Sequence, residues 1–349
     1  MTNPSSPCPT LQGIDVPGVT AWYTANIDGA LAPLSFEKLP GGHSNFTYRV
    51  TDGAGAVTVL RRPPEGELLP SAHDMGREFR VIDALGPTPV PVAPTYGFAE
   101  DESVTGAKFY VMGYVEGEVL HDDEIAAEVT AESDRHLIGI DLAETLAKLH
   151  AVDIDAVGLG DLGKHENYVA RQMRRWYGQY QASEGSVAAI DDLHDRLQAR
   201  LPAQQGTAIV HGDYRLGNTM TGADGTVAAI LDWEICTLGD PLADLGYLLS
   251  TWAEPGEAST RLIGYPSLLP GFPTRGEMID AYSALSDLDL GEIEYYIAFS
   301  HWKLACINQG VWYRYDQGQK STVGVDVEGI RESIEQLAGM AVEAFDRFD

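Results

Sequence analysis

Asp213 lies two residues after His211 and five before Asn218 in His211-Gly212-Asp213-Tyr214-Arg215-Leu216-Gly217-Asn218, and Asp232 follows Asn218 by fourteen residues in Ile230-Leu231-Asp232-Trp233-Glu234. A loop carboxylate can accept the proton of a hydroxyl or orient that hydroxyl for in-line attack. An asparagine carbonyl and an aspartate carboxylate are hard oxygen donors of the kind magnesium takes, with phosphates and water filling the remaining positions. The chemistry that uses these parts together is transfer of a phosphoryl group to a hydroxyl. In this reading Asp213 is the base and Asn218 and Asp232 are the metal ligands. Arg215 is a guanidinium able to neutralise charge developing on the transferred group. His211 is better placed to brace the loop than to catalyse.

These residues need a scaffold that converges them. Gly222-Ala223-Asp224-Gly225 between the short apolar runs Asn218 to Met220 and Val227 to Leu231 predicts a hairpin, which brings Asn218 and Asp232 to one end of a ribbon. Upstream, Phe36 to Leu39, Phe46 to Val50, Val57 to Leu60 and Phe109 to Tyr114 read as strands, with Asp52-Gly53-Ala54-Gly55 as a turn. Met75 to Leu85 has helical spacing and stops at Gly86-Pro87. Past Tyr114 helical periodicity dominates: Leu137 to His150, Tyr168 to Tyr180, Leu193 to Leu201, Tyr295 to Val311 and Val327 to Phe348. Asp240 followed by Pro241 predicts the cap and first position of another helix, with Asp244 near its positive end. Leu262 to Arg275 reads as an irregular insertion.

The chain of 349 residues is 44% hydrophobic, enough for two packed lobes. The expected division is a small antiparallel sheet with one helix over residues 1–115 and a larger helical part over 116–349. A formal charge of -29 argues against nucleic-acid backbones and anionic membranes as partners. No apolar run reaches a membrane-spanning length, and the start lacks a basic then apolar leader pattern, so a cytoplasmic location is expected. Cys8, Cys236 and Cys306 are far apart and form neither a disulfide framework nor a zinc motif.

HGDYRLGN resembles the protein-kinase catalytic loop, H-R-D-x-x-x-x-N. ILDWE with Gly239-Asp240-Pro241-Leu242-Ala243-Asp244-Leu245 resembles the aminoglycoside phosphotransferase branch of the kinase-like fold, from about residue 34 onward. The resemblance implies an α+β, two-lobed kinase-like fold that uses ATP and magnesium. It places a phosphate-covering loop at Gly41, Gly42, His43, Ser44 and Asn45, a segment that by itself reads as a plain hairpin turn. It places Arg61 where the family carries lysine, with Glu78 as its partner unless that pair is only a surface salt bridge. It makes Val111 to Val115, with Met112 and Tyr114, the hinge strand beside adenine. Arg61 in place of lysine leaves open a non-catalytic nucleotide-binding pseudokinase that scaffolds a partner enzyme.

The acceptor is less legible. Arg171, Arg174 and Arg175 in one helical run, and the aromatic and basic segment Tyr295 to Arg314, suggest an anionic or extended small-molecule hydroxyl substrate. Helix amphipathicity alone would also explain the arginines. The RQxxRW and LRRPP runs resemble the kinase-like domain that occurs fused to acyl-CoA dehydrogenases, some members of which phosphorylate hydroxyacyl-CoA; an acyl-CoA dehydrogenase pathway partner is therefore implied. The acidic stretch from Glu116 to Asp134 pulls instead toward a cationic aminoglycoside, although acidic loops are also ordinary solvated surface.

Overall fold

The computed structural model describes residues 11–39, 45–65, 74–257, 260, 262–319, 322 and 325–349. The chain divides into two compact units, Met1–Glu116 with Asp232–Glu234, and Gly117–Leu231 with Ile235–Asp349.

The first unit contains α1 (Val16–Asn26), β1 (Ser35–Lys38), β2 (Phe46–Thr51), β3 (Val57–Arg62), α2 (Met75–Leu85), β4 (Thr95–Ala99) and β5 (Phe109–Gly113). Its sheet is antiparallel in the order β1-β2-β3-β5-β4. Asp52 closes the β2–β3 turn by accepting the amides of Ala54 and Ala56 at 2.9 and 2.8 Å, the side-chain mimicry that makes Asp a turn residue. Val19 and Tyr23 of α1 pack against Tyr48, Val50, Leu60, Phe109 and Val111 on one face of the sheet. α1 has no clear apolar stripe in sequence, and only those two residues are buried along it, which is why periodicity does not announce it. α2 begins at Asp74, whose side chain caps the Arg77 amide at 3.0 Å, and it buries Glu78 among Met75, Val81, Ile82 and Leu85.

The second unit contains α3 (Asp123–Val129), α4 (Glu132–His150), α5 (Tyr168–Ala182), α6 (Ala188–Ala199), β6 (Ala208–Val210), β7 (Thr219–Thr221), β8 (Val227–Ile230), β9 (Thr237–Gly239), α7 (Pro241–Ser250), α8 (Arg275–Ser283), α9 (Ile293–Asp316) and α10 (Val327–Phe348). Two ribbons, β6–β9 and β7–β8, flank the loop from His211 to Asn218. Asp240 caps α7 through the Leu242 amide at 3.1 Å, with Pro241 opening the helix. The segment 262–275 is partly ordered, with a 3₁₀ turn at Pro266–Leu268 before α8.

The first half of α9 is core. Tyr295, Tyr296 and Trp302 are fully buried, and their polar atoms donate to Leu197 O, Asp240 Oδ2 and Ile190 O at 3.0, 2.8 and 3.0 Å. The helix packs against α10, α7 and α5. The aromatic residues of its first half are therefore packing, whereas Trp312 and Tyr313 in its last turns are half-buried and Arg314 is exposed.

Candidate active site

The second unit carries the loop from His211 to Asn218. Gly212 has φ +87°, a conformation open to glycine and strained for other side chains. Asp244, fully buried on α7, accepts the amides of His211 and Gly212 at 2.5 and 2.8 Å and so fixes the turn. Burial pushes the Asp244 carboxyl up, but His150, His211 and the Gly212 amide outweigh it and hold it below the usual carboxylate range. His150 Nε2 lies 3.5 Å from Asp244 Oδ2, and its Nδ1 meets the Tyr282 hydroxyl at 2.7 Å. The His211 ring is buried; Nε2 faces the carbonyl of Leu231 at 2.8 Å and Nδ1 the amide of Asp213 at 3.3 Å. A carbonyl only accepts and an amide only donates, so the proton sits on Nε2 and the ring braces the loop.

Asp213 emerges half-buried with both carboxylate oxygens engaged. Oδ1 accepts from the Tyr247 hydroxyl, and Oδ2 accepts from Asn218 Nδ2 at 2.6 Å. Arg215 Nε stands 3.7 Å from Oδ1. Asn218 also donates through Nδ2 to the Asp213 carbonyl at 2.8 Å, which leaves its Oδ1 as the acceptor available to a cation. Asn218 was expected to open a strand; it closes a 3₁₀ turn, Leu216–Asn218, because its side chain bonds back to the loop while its amide donates to Arg215 O at 2.9 Å. The β7–β8 hairpin forms as expected, with Thr219 opposite Ile230, and the Leu231 amide donates to the Asn218 carbonyl at 2.9 Å.

Two residues around Asp213 escape sequence reasoning. Tyr247 on α7 and Lys303 on α9 are both buried, 34 and 90 residues beyond Asp213. The Lys303 ammonium donates to Gly212 O at 3.1 Å and lies 4.8 Å from the Tyr247 ring centre. Nothing in local spacing ties either to Asp213; Lys303 stands out only as a lysine in the aromatic first half of α9.

Arg215 also borders a small cleft with Leu120, His121, Leu216, Trp252, Ile263 and Pro266. Among the described residues its lining is apolar apart from Arg215, His121 and Thr251 and holds no carboxylate; burial, and then Arg215, pull the His121 pKa down.

In the first unit, Arg61 of β3 is half-buried between two carboxylates. Nε reaches Glu78 Oε1 at 2.9 Å and Nη2 reaches Asp232 Oδ1 at 2.8 Å. Burial works against the guanidinium's charge, but Glu78, Tyr110 and Asp232 overcome it. Burial pushes the Glu78 carboxyl up, and Arg61 pulls it back. The Arg61–Glu78 pair is therefore a buried one rather than a surface salt bridge. Asp232 has φ +62°, a left-handed conformation that Asp tolerates better than most residues and that turns up at functional turns. Its side chain is about one-third exposed, so one carboxylate oxygen beyond the Arg61 contact suits a hard cation. Arg61→Lys is expected to lose one of the two ionic hydrogen bonds, since a single ammonium cannot fork, and to lower unfolding free energy by about 1–1.5 kcal/mol in urea titration.

Met112 lies in β5 opposite Val59 and Thr95. β5 ends at Gly113, so Tyr114 stands just past the strand rather than on it, exposed, with the Arg49 guanidinium 5.3 Å from its ring centre. Asn45 is buried at the start of β2. Gly41, Gly42, His43 and Ser44 lie outside the described residues. No helix among the described residues is long and apolar enough to cross a membrane.

The mouse protein named acyl-CoA dehydrogenase family member 10 is 36% identical over 317 residues, covering 88% of this chain but 29% of its own length. The chain thus spans less than a third of that relative. A solved structure from Ralstonia eutropha, named for aminoglycoside phosphotransferase, superposes with a TM-score of 0.83 at 34% identity, covering 96% of this chain and 99% of its own. Spectinomycin phosphotransferase, solved with ADP and spectinomycin, shares the fold at TM-score 0.63 and 11% identity, covering 96% of this chain and 99% of its own. Residues 35–273 match the model of the phosphotransferase enzyme family APH, and the chain belongs to that family.

Proposed function

We propose that this chain is an ATP- and magnesium-dependent small-molecule kinase that moves the γ-phosphoryl group to a hydroxyl, with a hydroxyacyl-CoA favoured over an aminoglycoside-like acceptor. The observation that carries the reading is Asp213, a half-buried carboxylate with each oxygen held by a neighbouring donor. A base fixed in this way accepts a hydroxyl proton without first reorganising. Asn218 and Asp232 serve as the oxygen donors for magnesium, and Arg215 as the group that meets developing negative charge. Magnesium, when bound, neutralises phosphate charge and aligns the transferred group. Arg61 with Glu78, the loop from Gly41 to Asn45, and the hinge residues Met112 and Tyr114 serve the nucleotide. The ADP complex of the fold neighbour supports nucleotide use.

Two observations favour the acyl-CoA class of acceptor. The cleft beside Arg215 offers apolar walls with one guanidinium, whereas a polycationic antibiotic needs carboxylates, which its described lining lacks. The relative named after acyl-CoA dehydrogenase supports a partner in that pathway. The pseudokinase reading draws only on Arg61, and that residue keeps its pairing with Glu78.

A thermal-shift screen of CoA esters, hydroxyacyl-CoAs and aminoglycosides in the presence of ATP and magnesium separates the classes, followed by assay for phosphorylated product. Stabilisation of several degrees and turnover with a hydroxyacyl-CoA are expected. Turnover confined to aminoglycosides would overturn the acceptor assignment, and nucleotide binding with no product from any acceptor would favour the scaffold.

A further inference from the structure

Lys303 is a buried ammonium with a hydrogen bond to Gly212 O at 3.1 Å and a contact with the Tyr247 ring at 4.8 Å. Burial pulls its pKa down, with Asp213 and Asp244 opposing that pull. Burying an ammonium carries a desolvation cost that one hydrogen bond offsets only in part. Stability alone therefore does not account for it.

Its contacts do. The peptide unit before Gly212 is fixed by Asp244 through the Gly212 amide at 2.8 Å, and the peptide unit after it is fixed by Lys303 through the Gly212 carbonyl. That second peptide plane sets the direction in which the Asp213 side chain leaves the backbone. Tyr247, against whose ring the ammonium rests, donates its hydroxyl to Asp213 Oδ1. Lys303 thus holds both the backbone that launches the carboxylate and the ring that pins its outer oxygen.

We propose that Lys303 and Tyr247 form a positioning pair for Asp213, in which Lys303 orients the Gly212–Asp213 peptide and Tyr247 fixes the carboxylate rotamer against the acceptor hydroxyl. The kinetic side of this inference rests on the phosphotransfer reading above; the structural side does not. Neither residue touches the reacting atoms, and both act through Asp213. Because each is one half of the same constraint, their effects overlap.

The test compares Lys303→Met, Tyr247→Phe and the double variant with the parent chain. Lys303→Met keeps length and removes charge, while Tyr247→Phe keeps the ring and removes the hydroxyl. On an accepted acceptor, kcat is expected to fall about 10- to 100-fold in each single variant, with the KM for ATP within about twofold, and the double variant to fall no further than the weaker single one. Amide exchange in the peptide 211–218 should quicken in both single variants by more than the fall in global stability, read as the urea midpoint, accounts for. A Lys303→Met protein with parental kcat and parental exchange at 211–218 overturns the pair, as does exchange that quickens equally in every protected peptide. If the parent chain phosphorylates nothing, the phosphotransfer reading fails, and local exchange against midpoint still decides the clamp.

Discussion

Asp213→Ala is expected to lower kcat by about 10²–10⁴-fold on any acceptor the parent chain phosphorylates, the range contributed by a positioned general base. The carboxylate is the only group in the described loop with both oxygens held by donors, from Tyr247 and from Asn218 Nδ2 at 2.6 Å. Removing it takes away the proton acceptor and releases two donors that had been aimed at it. Asp213→Asn keeps the shape, and its loss of rate with retained fold isolates the proton-accepting role from positioning. Nucleotide affinity, read by calorimetry, should change little in either variant, since the residue meets the acceptor rather than the phosphates. Full turnover in Asp213→Ala would sink the mechanism while leaving the fold assignment untouched.

The largest stability effect is expected at Asp244. Asp244→Ala removes the acceptor for the His211 and Gly212 amides and strips His150 of its nearest carboxylate, all in a buried setting. Breaking a buried charged network from one side costs about 3–5 kcal/mol. The pH dependence follows from the direction of its shift. The folded carboxyl titrates below its unfolded value near about 3.9, so its stabilisation is fully present above that pH and is lost as pH falls through the lower folded value. Urea unfolding of Asp244→Asn and the parent chain should therefore differ most near neutral pH and converge in acid. A gap that stays constant down to acid pH would show that the amide contacts, rather than the charge, provide the stability.

Much of this arrangement is legible in the sequence because its signals are local. The hairpin announces itself through Gly222 to Gly225, the α7 cap through Asp240-Pro241, and α2 through four apolar residues at helical spacing. The family resemblance points to Arg61 and Glu78 as a pair, and the structure joins them at 2.9 Å. What stays hidden depends on contacts between residues far apart in the chain. Tyr247 and Lys303 reach Asp213 from helices whose own patterns say only that they are buried. α9 shows the same dependence: counting aromatic and basic residues along a segment does not separate core from surface, and tertiary context buries Tyr295, Tyr296 and Trp302 while Arg314 stays exposed. The 3₁₀ turn at Leu216–Asn218 is invisible because a side-chain bond to the loop, not backbone propensity, selects it.

The amide of Asn218 has one further consequence. Its nitrogen is committed twice to Asp213, to the carbonyl at 2.8 Å and to the carboxylate at 2.6 Å, so only its oxygen faces outward. Aspartate, which differs from it by one atom and is the better cation ligand in isolation, would set an acceptor against two acceptors and turn the loop's own clasp into repulsion. The position therefore demands a side chain that is a donor on one edge and an acceptor on the other. If Asn218 ligates magnesium as proposed, one planar group serves the loop through its nitrogen edge and the metal through its oxygen edge.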